Sequence, residues 1–163
     1  GANLRGANLR AASTLWHADL SEVNLSRVDL SGVLLDGARL RGTDLTGARL
    51  PGASLVKADL TGARLMGVRL TEADLSRADL RKTNLSKADL RETNLSDVKL
   101  SDTNFQGADL RGVPWLLIVE LTLSPGANFA GIRWDRLPGK KGGSFLLRNQ
   151  NLFLIPSWEL VAR

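Results

Sequence analysis

Leucine recurs at every fifth residue from residue 15 to residue 110, filling 19 of 20 such positions, with Phe105 the exception. No regular element accommodates that spacing. Five steps along an α-helix turn about 500°, which scatters the leucines around its surface. Along a straight strand, residues five apart point to opposite faces. The backbone must therefore turn once per unit if the leucines are to share one interior. Two residues before each following leucine, from residue 18 to residue 113, stand ten Ala, six Val and four Thr. The residue just before the leucine is mostly Asp, Asn or Arg, and the two after it are mostly Ser, Thr, Arg, Lys, Gly or Glu. Each unit reads small, polar, Leu, polar, polar, as in Ala58-Asp59-Leu60-Thr61-Gly62.

If each unit forms one side and four sides close a coil, 20 residues stack the leucine of one coil over that of the next. Small residues at the preceding inward site let four sides meet around a narrow axis with no room for water or ligand. Backbone groups then pair with the coils above and below, at about 4.8 Å per coil. Residues 1 to 113 make between five and six coils, a rod of roughly 27 Å. The motif Ala-(Asp/Asn)-Leu-x-x, as in Ala78-Asp79-Leu80-Arg81-Lys82 and Ala88-Asp89-Leu90-Arg91-Glu92, resembles that of the pentapeptide-repeat family. The resemblance covers about 113 of the 163 residues. It implies an all-β fold, a right-handed quadrilateral parallel β-helix with the leucine and the small residue both inward, in a family abundant in bacteria and especially cyanobacteria. Fold alone assigns no activity.

Glycine follows the central leucine by two residues at Gly32, Gly37, Gly42, Gly47, Gly52, Gly62 and Gly67, and again at Gly107 and Gly112. Such corners suit a tight type II turn. Between Glu72 and Asp102 the same site holds charged residues, for which a wider turn is expected. The register breaks once: Leu4 and Leu9 are five apart but the next centre is Leu15, so one extra residue lies within residues 10 to 14. A bulge at a coil corner accounts for it; a loop that distorts one face for a partner is the functional alternative.

Sorting residues by position modulo 20 shows what stacks on each outer side. One side carries Asp19, Arg39, Asp59, Asp79 and Lys99, and another Asp29, Arg49, Arg69, Asp89 and Asp109. Opposite charges mostly fall one strand spacing apart, the pattern of surface pairing. A further side holds Trp16, Leu34 and Val56 at outward positions on three successive coils. Three aligned apolar groups point to a contact site for a partner, or to a patch covered by a terminal cap or the tail.

After Val113 the pattern stops at Pro114-Trp115, which divides the chain into a β-helix over 1–113 and an irregular final coil with a C-terminal capping segment over 114–163. Ala127-Asn128-Phe129-Ala130-Gly131 and Ile132-Arg133-Trp134 repeat the unit spacing with larger centres. Residues 138–143 read as a flexible basic loop, residues 145–155 as a hairpin or two short strands, and residues 156–161 as a short helix capped by Ser157. Net charge over the whole chain is +5. Residues 1–113 hold 16 cations against 14 carboxylates, and residues 114–163 hold 6 against 3. The rod is nearly neutral, and the basic excess gathers at Arg133, Arg136, Lys140, Lys141 and Arg148, a candidate contact loop. Nucleic-acid binding normally requires a broader basic stripe with stacking aromatics and is not expected.

The chain has no cysteine and one histidine, His17, which excludes thiolate chemistry and the His clusters of metal enzymes. The carboxylates occupy equivalent wet positions beside Arg or Lys, so no pair is split into acid and base. Neither catalytic residues nor a cofactor or metal is expected. The longest apolar stretch, near residues 115–123, is too short to span a bilayer, and a cytoplasmic protein is expected. The chain begins inside a repeat, as a fragment of a longer protein would.

Two functions follow. The first is a non-enzymatic scaffold, a protein–protein interaction module whose partner surface is Trp16, Leu34 and Val56. The second comes from the resemblance: the best characterised relatives imitate a DNA duplex, bind DNA gyrase and confer quinolone resistance. Those relatives are acidic, often have Phe at the centre and dimerise tail to tail. The resemblance therefore also implies a homodimer through the C-terminal segment, with an open end of the rod as the other route.

Overall fold

A computed structural model describes Arg5, residues 14–114, Leu117, Leu121 and residues 123–134, together with the backbone of Ser144–Arg148 and Asn151–Ile155. Parallel bridges join Thr14 to Leu34, Asp19 to Arg39, Asn24 to Asp44 and Asp29 to Arg49, and each of these four columns continues from coil to coil. Four bridges per 20 residues make a four-sided coil, as the pentapeptide-repeat resemblance implies. Leu25 through Leu95 and Leu110 are fully enclosed at the unit spacing, with Ala, Val or Thr beside them. The leucine column that runs upward from Leu25 ends in Phe105 and Phe129, whose rings stack with centroids 4.7 Å apart.

Where Asp or Asn precedes the leucine, every backbone donor of the unit has a destination, which explains the residue choices one by one. In the unit 58–62, Ala58 N–H closes the preceding corner on Leu55 O at 3.0 Å, and Asp59 N–H reaches back to Ala38 O at 3.0 Å. Leu60 and Gly62 donate forward to Asp79 O and Arg81 O, each at 2.9 Å. Thr61 N–H alone has no backbone acceptor, and the Asp59 carboxylate takes it at 3.0 Å. Asp or Asn before the leucine thus caps its own corner, and the same bond recurs from Asp19 to Asn128. At Arg49 no such acceptor exists, and the residue two further on is Pro51, which has no N–H.

The corners differ from the expectation drawn from glycine. Glu72, Lys82 and Asp102 have φ of 58°, 59° and 56°, in the same left-handed region as Gly32 at 68° and Gly62 at 70°. No wider turn forms. The hydrogen bonds dictate this: Ala73 N–H must reach Leu70 O at 3.1 Å while Glu72 N–H points to the next coil, to Arg91 O at 3.0 Å. A non-glycine residue held there gives up roughly 1–2 kcal/mol, which the paired backbone offsets. At Gly112 glycine is required sterically as well, because a Cβ would lie 3.2 Å from the Glu92 backbone N and 3.3 Å from its Cα.

Beyond Val113 the ladder takes four extra residues before it resumes: Asn104 pairs with Asn128 and Asp109 with Arg133, offsets of 24 in place of 20. Within this insertion Leu117 and Leu121 are helical and four apart, so both face the same way. Leu121 is buried and Leu117 packs partly against the core. Strands β1 (Ser144–Arg148) and β2 (Asn151–Ile155) pair antiparallel, with Arg148 opposite Asn151. The register break at residues 10–14 and the helix at residues 156–161 lie outside the described residues, apart from Thr14.

Candidate interaction site

Trp16 leads the corner after Leu15, and its indole is 57% exposed. Leu34 and Val56 stand on the next two coils and are both half-buried. The three belong to two columns: Leu34 bridges Thr14 and Ser54 at the centre of the side, whereas Trp16, Asp36 and Val56 succeed one another along its corner. Asp36 therefore interrupts the apolar run. Its carboxylate accepts Ser54 Oγ–H at 2.5 Å and Val56 N–H at 3.2 Å. Because Ser54 occupies the site that most often holds Asp or Asn, Asp36 supplies the missing corner cap from the neighbouring coil. The result is an apolar patch around a fixed carboxylate. The His17 ring next to Trp16 lies over Gly37.

Met66 and Leu123 are also exposed, at 46% and 77%, and the sequence reading missed both. Met66 was legible, because Ser26, Thr46 and Ser86 hold the same site on neighbouring coils. Leu123 lies in the inserted segment, where no column exists to compare it with.

Of the five basic residues proposed as a contact loop, Arg133 lies on the ladder with its side chain 3.7 Å from Asp109. Arg148 ends β1, and Arg136, Lys140 and Lys141 fall outside the described residues. Arg133 is thus placed on a side of the rod.

The charged ladders divide into two kinds. Arg39–Asp19, Arg49–Asp29 and Arg64–Asp44 bridge successive coils at 3.7, 3.9 and 3.8 Å. Arg81, Arg91 and Arg111 instead clasp the aspartate two residues earlier, at 2.6 to 2.8 Å. Hydrogen bonds from these arginine side chains hold Asp79, Asp89 and Asp109 below the usual carboxylate range, against the opposing effect of partial burial. Among the described residues no group of acids and histidines is placed to hold a metal ion, and no helix is long and apolar enough to cross a membrane.

A leucine-filled, four-sided coil with polar ladders outside defines a β-helical repeat protein. Eight copies of the pentapeptide repeat match over residues 1–42, 34–71 and 73–112, and the chain belongs to the pentapeptide-repeat family. Its rod is the right-handed quadrilateral β-helix of that family. Rfr23, a pentapeptide repeat protein from the cyanobacterium Cyanothece 51142, is 38% identical with a TM-score of 0.53, over 53% of this chain and 59% of that one. HetL from the cyanobacterium Nostoc sp. strain PCC 7120, a pentapeptide repeat protein involved in heterocyst differentiation regulation, is 28% identical with a TM-score of 0.44, over 80% of this chain and 61% of that one. QnrB1, a plasmid-mediated fluoroquinolone resistance protein, is 19% identical with a TM-score of 0.45, over 75% of this chain and 80% of that one. The match thus spans about three fifths of the length of Rfr23 and HetL. No curated protein matches the chain.

Proposed function

We propose that this chain is a non-enzymatic scaffold, a rigid rod that presents its sides to a protein partner, with the contact centred on Trp16, Leu34 and Val56. The observation that carries this reading is the exposed indole of Trp16, on a surface otherwise composed mainly of polar ladders. Tryptophan anchors beside smaller apolar groups dominate protein–protein binding energy. The Asp36 carboxylate within the patch favours a partner that brings a hydrogen-bond donor alongside an apolar surface. The test is crosslinking of the tagged chain in cells against a variant with Trp16→Ala, Leu34→Asp and Val56→Asp. Specific adducts are expected to disappear in the variant, and an unchanged adduct pattern rejects the patch.

The charge distribution weighs against a gyrase-binding duplex mimic, because the relatives of that kind are acidic. Acids succeed one another at most twice in any stacked column of the described residues, as at Asp59 and Asp79 or Asp89 and Asp109. No rescue of gyrase supercoiling from a quinolone is expected at micromolar protein.

A further inference from the structure

We infer that a second copy of this chain docks antiparallel on the side that carries Asp29, Arg49, Arg69, Asp89, Asp109 and Arg133. These six residues form one continuous bridged column, one residue per coil. From the first coil to the sixth their charges run negative, positive, positive, negative, negative, positive. Reversed, the series has the opposite sign in every row. A two-fold axis between the third and fourth coils therefore sets Asp29 against Arg133, Arg49 against Asp109 and Arg69 against Asp89, and symmetry makes each pair twice. Self-complementarity is what an isologous interface demands. The rows coincide because both copies share one coil rise, about 4.8 Å. The parallel side fails this test: about its central coil, Asp59 in the series Asp19, Arg39, Asp59, Asp79 and Lys99 meets itself.

Shape agrees with charge. Arg49, Arg69 and Arg133 are exposed, whereas Asp29, Asp89 and Asp109 are half-buried, so a long side chain faces a short one in every row. On the corner that precedes this side, the same axis sets Lys87 opposite Gly67 and Arg27 opposite Gly131, where no side chain obstructs them. Arg91 and Arg111 hold one edge of Asp89 and Asp109. A carboxylate has about four acceptor sites, which leaves positions for a guanidinium from the other copy. Across the axis these two arginines meet uncharged Thr71 and Pro51. Arg69, next to the axis, has no ion pair within its own chain among the described residues, and its one cross-coil neighbour of opposite charge is Asp89. A contact one side wide and about 24 Å between its outermost rows is small for a protein interface. The dimer is accordingly weak, and sensitive to salt because its charges are exposed.

Sedimentation velocity of the 163-residue chain at about 0.1 mM and low salt tests this. A dimer is expected that dissociates as sodium chloride rises from about 50 mM to about 500 mM. Arg69→Glu and Asp89→Arg should each weaken self-association at least tenfold while circular dichroism remains that of the wild type. Mixed one to one, the two variants should recover the wild-type dimer mass, because each reversed row then meets its complement. Recovery in the mixture also shows that both variants are folded. A monomeric wild type, a dimer indifferent to either reversal, or a mixture that stays monomeric overturns the inference. An end-to-end dimer would fall in the second class.

Discussion

At the scale of single residues, the pentapeptide pattern is a hydrogen-bonding scheme as much as a packing scheme. Leucine and its small neighbour fill the axis, while Asp or Asn closes the one backbone donor that the coil leaves open. Thr83, Thr93 and Thr103 reconcile a hydroxyl with the dry interior by donating to Leu60 O, Leu70 O and Leu80 O at 2.7 to 2.9 Å. Each of those carbonyls already accepts one corner bond, as Leu60 O does from Ala63 N–H. Thr83→Val should therefore cost no more than about 1.5 kcal/mol, whereas Leu60→Ala should cost about 2–5 kcal/mol through the cavity it opens. Urea titration distinguishes the two. Acid provides a second check. Asp79, Asp89 and Asp109 are held below the usual carboxylate range in the folded rod, chiefly by bonds from Arg81, Arg91 and Arg111. A folded-state pKa below the unfolded one contributes stability above the unfolded value and loses it as pH falls through the folded value. The urea midpoint should hold steady down to about pH 5 and decline below about pH 4, less steeply in Asp79→Asn.

At the scale of the element, the repeating side and corner was legible wherever residue type decides conformation, and hidden wherever the ladder decides it. Period and inward positions followed from the leucines, whereas the stacked columns followed only once four units were given to each coil, because leucines five apart stack for any whole number of units. Corners at Glu72 to Asp102 did not follow: residue type favours a wider turn there, but forward and backward bonds leave one conformation, with φ near 58°. The apolar patch was half legible. Trp16, Leu34 and Val56 were found by side, yet Asp36 among them was not, since its role depends on Ser54 lacking the usual carboxylate. After Val113 the loss of pattern and its return at Ala127-Asn128-Phe129 were legible, but the helical residues Leu117 and Leu121 between them were not. The corner account has a direct consequence. Glu72→Gly should leave stability unchanged or raise it by up to about 1 kcal/mol, because relief of the left-handed conformation exceeds glycine's entropy cost. Glu72→Val should lose more than about 1 kcal/mol. Thermal melts of the pair test whether the ladder or the residue sets the corner.

At the scale of the whole molecule, stability and recognition depend on different periods of the same chain. The core repeats every five residues and is indifferent to which coil a unit occupies, as expected of a solenoid in which each repeat contacts only its neighbours. The outer surface repeats every 20, and its six-row charge order has meaning only as a complete series. Removal of one full coil, residues 60–79, joins Asp59 to Leu80 and returns every later residue to its own side. The shortened rod should keep its circular dichroism spectrum and melt cooperatively, at a somewhat lower midpoint. It should no longer self-associate, because without Arg69 the series becomes negative, positive, negative, negative, positive, which is not its own complement when reversed. Sedimentation and melting of this one deletion separate the two periods. A rod that melts normally and sediments as a monomer has kept its core and lost its register, whereas one that still dimerises uses a surface other than this column.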